Sequence, residues 1–128
     1  TIAAATDFTE DGYRANFTDA QKAALERDGR VEMPSDYMEP YVIPKRLVTD
    51  GRDRLVLRTP LPLPFPVRCL LGTADTAVST ESALRLLDHA DCPDMRLTLV
   101  KDADHRFSDG PCLGLIEAAI LDVMEAAI

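Results

Sequence analysis

The sequence predicts an α/β domain built on a parallel sheet, and three observations lead there. From Val67 onward the pattern runs strand, helix, strand, helix, the alternation that lays parallel strands side by side and packs helices on their faces. The opening run Ile2-Ala3-Ala4-Ala5 reads as the tail of a further buried strand. The composition, 46% hydrophobic and 28% charged over 128 residues, supplies a core and covers it.

Each element has a local cause. The apolar start gives way at Thr6 to Asp11, a polar stretch that leaves a sheet edge. Thr18-Asp19-Ala20-Gln21 is a capping-box pattern, so a helix from about Asp19 to Asp28 follows, closed by Gly29 in the left-handed conformation. Pro34, Ser35, Asp36 and Pro40 predict a loop or small hairpin between Arg30 and Tyr41, outside the core. Pro44 suits the first turn of a second helix carrying Leu47, Val48, Leu55 and Val56 near one side, with Gly51 as an interruption. Pro60, Pro62, Pro64 and Pro66 remove four backbone donors and restrict the residues before them, which makes that stretch an extended connector.

The second half is more regular. Val67 to Leu71 is a short buried strand, and Ser79 or Thr80 caps a helix to about Ala90 whose apolar side is Ala83, Leu84, Leu86, Leu87 and Ala90. Asp91-Cys92-Pro93 ends it, and Arg96 to Val100 forms the next strand. From Pro111 onward, Ile116, Ala119, Ile120, Val123 and Ala127 recur at helical spacing.

Charge narrows the partners. With 22 acidic against 14 basic residues and a net charge of −8, a nucleic-acid or anionic-membrane surface is disfavoured, while neutral or cationic small molecules stay open. Cys69, Cys92 and Cys112 are odd in number and widely spaced, so they predict free thiols in a reducing, cytoplasmic setting, not a disulfide framework or a metal site. Cys69, within an apolar run, reads as a small buried hydrophobe. No run approaches the ~20 apolar residues that cross a bilayer, so no membrane role is expected. The sequence opens at Thr1 with neither an initiator Met nor a basic leader, and the start reads as a cut in a longer chain.

The chemistry concentrates at two positions. Asp75 follows the first strand of the second half and His105 follows the next. A right-handed crossover makes those strands parallel, usually as neighbours about 4.8 Å apart, so both side chains emerge at the carboxyl rim where open α/β sheets bind ligands. A carboxylate there accepts from the imidazole Nδ1–H, fixes the tautomer and stabilises the imidazolium. Asp102 and Asp104 are rival partners for His105, better suited to bonding their own loop, and His89 on a helix reads as solvated. No G-x-S-x-G occurs, and none of Ser35, Ser79, Ser82 and Ser108 sits in a strand-to-helix elbow.

Gly72-Thr73-Ala74-Asp75-Thr76-Ala77-Val78 resembles the G-x-x-D-x-x-V segment of the α/β-hydrolases, and Asp104-His105-Arg106-Phe107 resembles their D-H-x-F segment, with the family's separation of 30 residues between acid and base. Within that family the D-H-R sequence and the intervening residues are most similar to the acyl-protein thioesterases and acyl-glucuronide esterases. The resemblance implies the carboxy-terminal part of an α/β-hydrolase parallel sheet with a small cap insertion. Residues 1–8 would be a core strand end, 9–60 a cap or lid, and 61–128 the final strand-helix-strand-helix. Asp75 would be the triad acid and His105 the general base. The nucleophile would come from a complementary amino-terminal segment, acting on a small-molecule acyl ester or thioester through an acyl-enzyme, with no metal and no cofactor. Ser79 stands where many relatives have proline. Phe8, Tyr13, Phe17, Tyr37, Met38 and Tyr41 would wall an acyl or aryl pocket, with Asp7, Phe8, Tyr37 and Tyr41 as the substrate contacts. The same Asp–His pair serves relatives with an Asp nucleophile, such as dehalogenases and epoxide hydrolases. A non-catalytic binding module derived from the fold is the reading of a different class.

Overall fold

Residues 1–35 and 39–128 are described by the computed structural model, which divides into two units, Asp7–Val56 and the combination of Thr1–Thr6 with Leu57–Ile128. In the first unit, irregular helical turns over Thr9–Tyr13 and Arg14–Asn16 lead to α1, Asp19–Asp28. The capping box forms as its residues predict: Thr18 Oγ1 accepts from Gln21 N at 3.1 Å, and Thr18 N donates to Gln21 Oε1 at 2.9 Å. Gly29 closes the helix at φ 71°, a conformation that a side chain would strain.

The segment expected to stay outside the core contributes to it. β1, Arg30–Met33, pairs antiparallel with β2, Tyr41–Pro44, and Val31 faces Ile43 in register. Both are buried, with Phe17, Leu25 and Val48. Each strand is only four residues long, too short for alternation to stand out from the prolines between them. Pro44 lies one residue earlier than expected: it is the extended residue before α2, Lys45–Arg52, not part of its first turn. That helix stops short of Leu55 and Val56, and Val48 is its buried residue while Leu47 is exposed. Val56 N donates to Asp7 Oδ1 at 2.7 Å, joining the unit's two ends.

In the second unit the proline-rich stretch is extended and pairs briefly: β3, Leu61–Pro62, lies parallel to β5, Ala90–Asp91. β4, Val67–Gly72, pairs parallel with β6, Met95–Val100, in a register running from Val67 with Met95 to Gly72 with Val100. Ile2 bridges Leu70 in parallel, so β4 has neighbours on both sides. The opening strand tail therefore pairs as expected, but Ile2 remains exposed instead of buried.

Ser79 caps α3, Thr80–His89, by accepting from Ser82 N. Leu86 is the buried apolar residue of that helix, whereas Leu84 faces outward. His89 is not simply solvated: its Nε2 lies 2.8 Å from the Thr59 carbonyl, linking the end of α3 to the connector. Asp109 caps α4, Gly110–Ala126, by accepting from Cys112 N. Cys112 is buried with Leu70, Ala103 and Phe107, and Ile116 and Ala119 pack against them. Ile120, expected on the apolar face, is exposed.

An ionic network centres on Arg68 of β4. The nearly buried Arg68 guanidinium bonds Asp94 Oδ2 at 2.9 Å and Asp122 Oδ2, and its Nη1 also donates to the Val67 and Asp94 carbonyls. Arg96 reaches Asp122 at 3.2 Å. The bonds to Asp94 and then Asp122 push the Arg68 pKa upward and outweigh burial, which acts in the opposite direction.

Candidate active site

The ends of β4 and β6 are tied together before they diverge into loops. Thr73 N donates to the Val100 carbonyl at 2.9 Å and Ala74 N to the Ala103 carbonyl at 3.0 Å. The approach is so close that a Cβ on Gly72 would lie 2.1 Å from the Ala103 carbonyl oxygen, so glycine is the residue that fits. Asp75 N then turns back onto the Gly72 carbonyl, and the Asp75 side chain points to the neighbouring loop. Its Oδ2 lies 2.9 Å from His105 Nδ1. Its Oδ1 accepts from Ala77 N at 2.8 Å and Val78 N at 2.9 Å.

The pair is asymmetric: the Asp75 side chain is 1% exposed and that of His105 is 54% exposed. Burial works against the Asp75 charge, but the Val78 N–H, the imidazole and the Ala77 N–H outweigh it and hold the carboxyl below its usual range. An ionised carboxylate only accepts, so Nδ1 is the donating nitrogen, and the neutral ring keeps its lone pair on Nε2. The ring is thereby set as a proton acceptor on its outward side.

The loop after β6 has its own anchors. Asp102 at φ 61° and Phe107 at φ 52° bracket His105 with left-handed backbone that non-glycine residues adopt at a cost. Phe107 is 1% exposed and fixes the loop to the core. Asp104 Oδ1 accepts from Phe107 N at 3.1 Å, so this rival carboxylate serves its own loop, while Asp102 N donates to Thr73 Oγ1 at 2.8 Å. Gly72 and Phe107 are fixed letters of the G-x-x-D-x-x-V and D-H-x-F segments, but their packing contacts, and the Thr73 hydroxyl bond, were not expected from the sequence. A glycine at a strand end next to an acid and an aromatic residue two after the histidine were the available signals, and nothing local marks Thr73.

Elsewhere, Asp7 is buried at φ 56° with its carboxylate accepting from Val56 N, and the Phe8 ring meets Tyr13 edge-on at 4.7 Å between centroids. Tyr41 on β2 is exposed, and Tyr37 lies outside the described residues. Among the described residues no group of three or more His, Cys, Asp or Glu side chains is arranged to hold a metal ion. Ser79 and Ser82 hydroxyls bond each other at the start of α3. Burial, then Asp109, pushes the Cys112 thiol upward, away from the thiolate that nucleophilic chemistry uses.

Parallel strands with helices packed on them are an architecture that solved structures share. A crystallised protein from Agrobacterium vitis S4 named "Putative hydrolase" superposes with a TM-score of 0.90 at 36% identity, over 95% of this chain and 47% of its own. Alpha/beta hydrolase domain-containing protein 10 from mouse gives 0.84 at 29% identity, over 97% of this chain and 50% of its own. The chain belongs to the α/β-hydrolase family. Among curated proteins it is similar to palmitoyl-protein thioesterase ABHD10, mitochondrial, from Rattus norvegicus, 29% identical over 126 residues, which are 97% of this chain and 42% of that protein. The Homo sapiens protein of the same name is 26% identical over 106 residues. The chain thus spans less than half the length of the curated relatives it matches. No family model matches it.

Proposed function

We propose that this chain supplies the acid and base of a serine hydrolase that cleaves an ester or thioester through an acyl-enzyme. The observation that carries the reading is the buried Asp75 carboxylate, held by two backbone N–H groups and bonded to the exposed His105 ring. A serine from a complementary amino-terminal segment attacks the carbonyl as its proton passes to His105 Nε2. Asp75 stabilises the resulting imidazolium. Collapse of the tetrahedral intermediate expels the alcohol or thiol, which takes the proton from Nε2. Water then gives a proton to the same nitrogen as its oxygen attacks the acyl carbon, and the serine oxygen takes that proton back as it leaves and the acid is released.

Each step uses one nitrogen, and Asp75 stays ionised throughout. A thioester with an apolar acyl chain is the favoured substrate, because the curated relatives are named palmitoyl-protein thioesterases. The segment 9–60 is proposed as the cap that selects it, with Asp7, Phe8, Tyr37 and Tyr41 as contacts. A reducing compartment follows from the free thiols Cys69, Cys92 and Cys112; the curated relatives carry "mitochondrial" in their name.

Fluorophosphonate labelling of the full hydrolase that carries this chain tests the reading. His105→Ala should abolish labelling, and Asp75→Asn should lower kcat by roughly 10⁴-fold, because the amide leaves the wrong tautomer. Undiminished labelling in His105→Ala would refute the base. Labelling of a serine within residues 1–128 would refute an external nucleophile.

A further inference from the structure

We propose that Thr73 is a positioning residue, whose hydroxyl locks the acid-bearing loop to the base-bearing loop and so sets the Asp75–His105 hydrogen bond. The inference rests on the reading of that pair as acid and base.

The paired strands end at Gly72 and Val100, and beyond them two loops must stay in register without a ladder. Two backbone bonds run from the acid loop to the base loop, Thr73 N to Val100 O and Ala74 N to Ala103 O. The Thr73 hydroxyl makes the return bond, Oγ1 accepting from Asp102 N at 2.8 Å. Asp102 sits at φ 61°, where a side chain is strained, so its N–H is aimed at Thr73 by a conformation that needs compensation. Thr73–Asp102 and Asp75–His105 are side-chain rungs between the same two loops, with the Ala74–Ala103 backbone bond between them. The second rung has little other support on the base side, since the His105 side chain is half exposed. Packing fixes Phe107 and the Gly72 contact fixes Ala103, but between Ala103 and Phe107 the imidazole depends on how the loop is seated. Small displacements of a proton-transfer group cost rate steeply.

The hydroxyl is the functional part of the side chain. Thr73→Val keeps its shape and removes the acceptor, while Thr73→Ser keeps the acceptor and removes a methyl. Nitrogen-15 spectra of the neutral His105 imidazole in the full hydrolase should show one tautomer, protonated at Nδ1, in wild type and Thr73→Ser, and a mixture in Thr73→Val. Asp102 amide exchange should quicken in Thr73→Val alone. In the full hydrolase, kcat should fall about tenfold in Thr73→Val with KM unchanged, about the worth of one hydrogen bond. Thr73→Ala, which makes no steric demand, is measured beside it so that a misfolded valine variant leaves the test intact.

A single Nδ1-protonated tautomer and wild-type kcat in both Thr73→Val and Thr73→Ala would overturn the proposal. If instead both variants disturb the tautomer while His105→Ala still labels fully, the loop lock stands and the catalytic reading falls.

Discussion

A carboxylate that is both buried and ionised has to be held by donors, and Asp75 has three: two backbone N–H groups on one oxygen and the imidazole on the other. Its depressed pKa has a consequence for stability. The folded state binds the Asp75 proton less readily than the unfolded chain does, so its stabilising effect is complete above the ordinary carboxylate pKa of ~3.9 and fades as pH falls through the lower folded value. Thermal midpoints of wild type and Asp75→Asn should therefore stay apart above about pH 4 and converge only as pH falls through the lower folded value; a gap that persists in strong acid would show that the charge is not what stabilises. Asp75 and His105 were legible because their strand positions, spacing and neighbours agree within short stretches. Arg68 was not. It sits in an apolar strand, and the carboxylates that accept its charge are 26 and 54 residues away, a pairing no local pattern carries.

Elements were readable to the extent that their causes are local. The limits of α1 follow from Thr18, Gln21 and Gly29, residues at or beside its ends, and all three act as their chemistry dictates. Thr18→Ala should accordingly destabilise the chain by about 1 kcal/mol in denaturant titration, whereas Thr18→Ser should be nearly neutral. Equal losses in both variants would mean that the methyl group, not the cap, is what matters. The pairing of β1 with β2 answers to different physics: Val31 and Ile43 are buried because Phe17, Leu25 and Val48 arrive from elsewhere in the unit. Two inward residues in four-residue strands cannot announce that from sequence. The brief pairing of β3 with β5 is similar, since prolines correctly exclude a central strand yet permit two residues at an edge.

For the molecule as a whole, the surface of α4 sets the expected behaviour in solution. Leu113, Ile120, Leu121 and Met124 are each more than half exposed on that one helix, an apolar face of the kind that drives association. The 128-residue chain by itself should self-associate and bind a hydrophobic dye, and Ile120→Lys together with Met124→Glu should return it toward a monomer in sedimentation velocity. A monomeric wild-type chain with a cooperative unfolding transition would contradict this. The net charge of −8 opposes association at long range, so raising the salt concentration should strengthen it. The bond between Asp7 and Val56 has a different bearing. Because it brings the first and last residues of their unit together, that stretch enters and leaves the hydrolase sequence at a single seam. Homologous proteins could trade it like a cartridge in one recombination event while the strands that carry Asp75 and His105 keep their length and register.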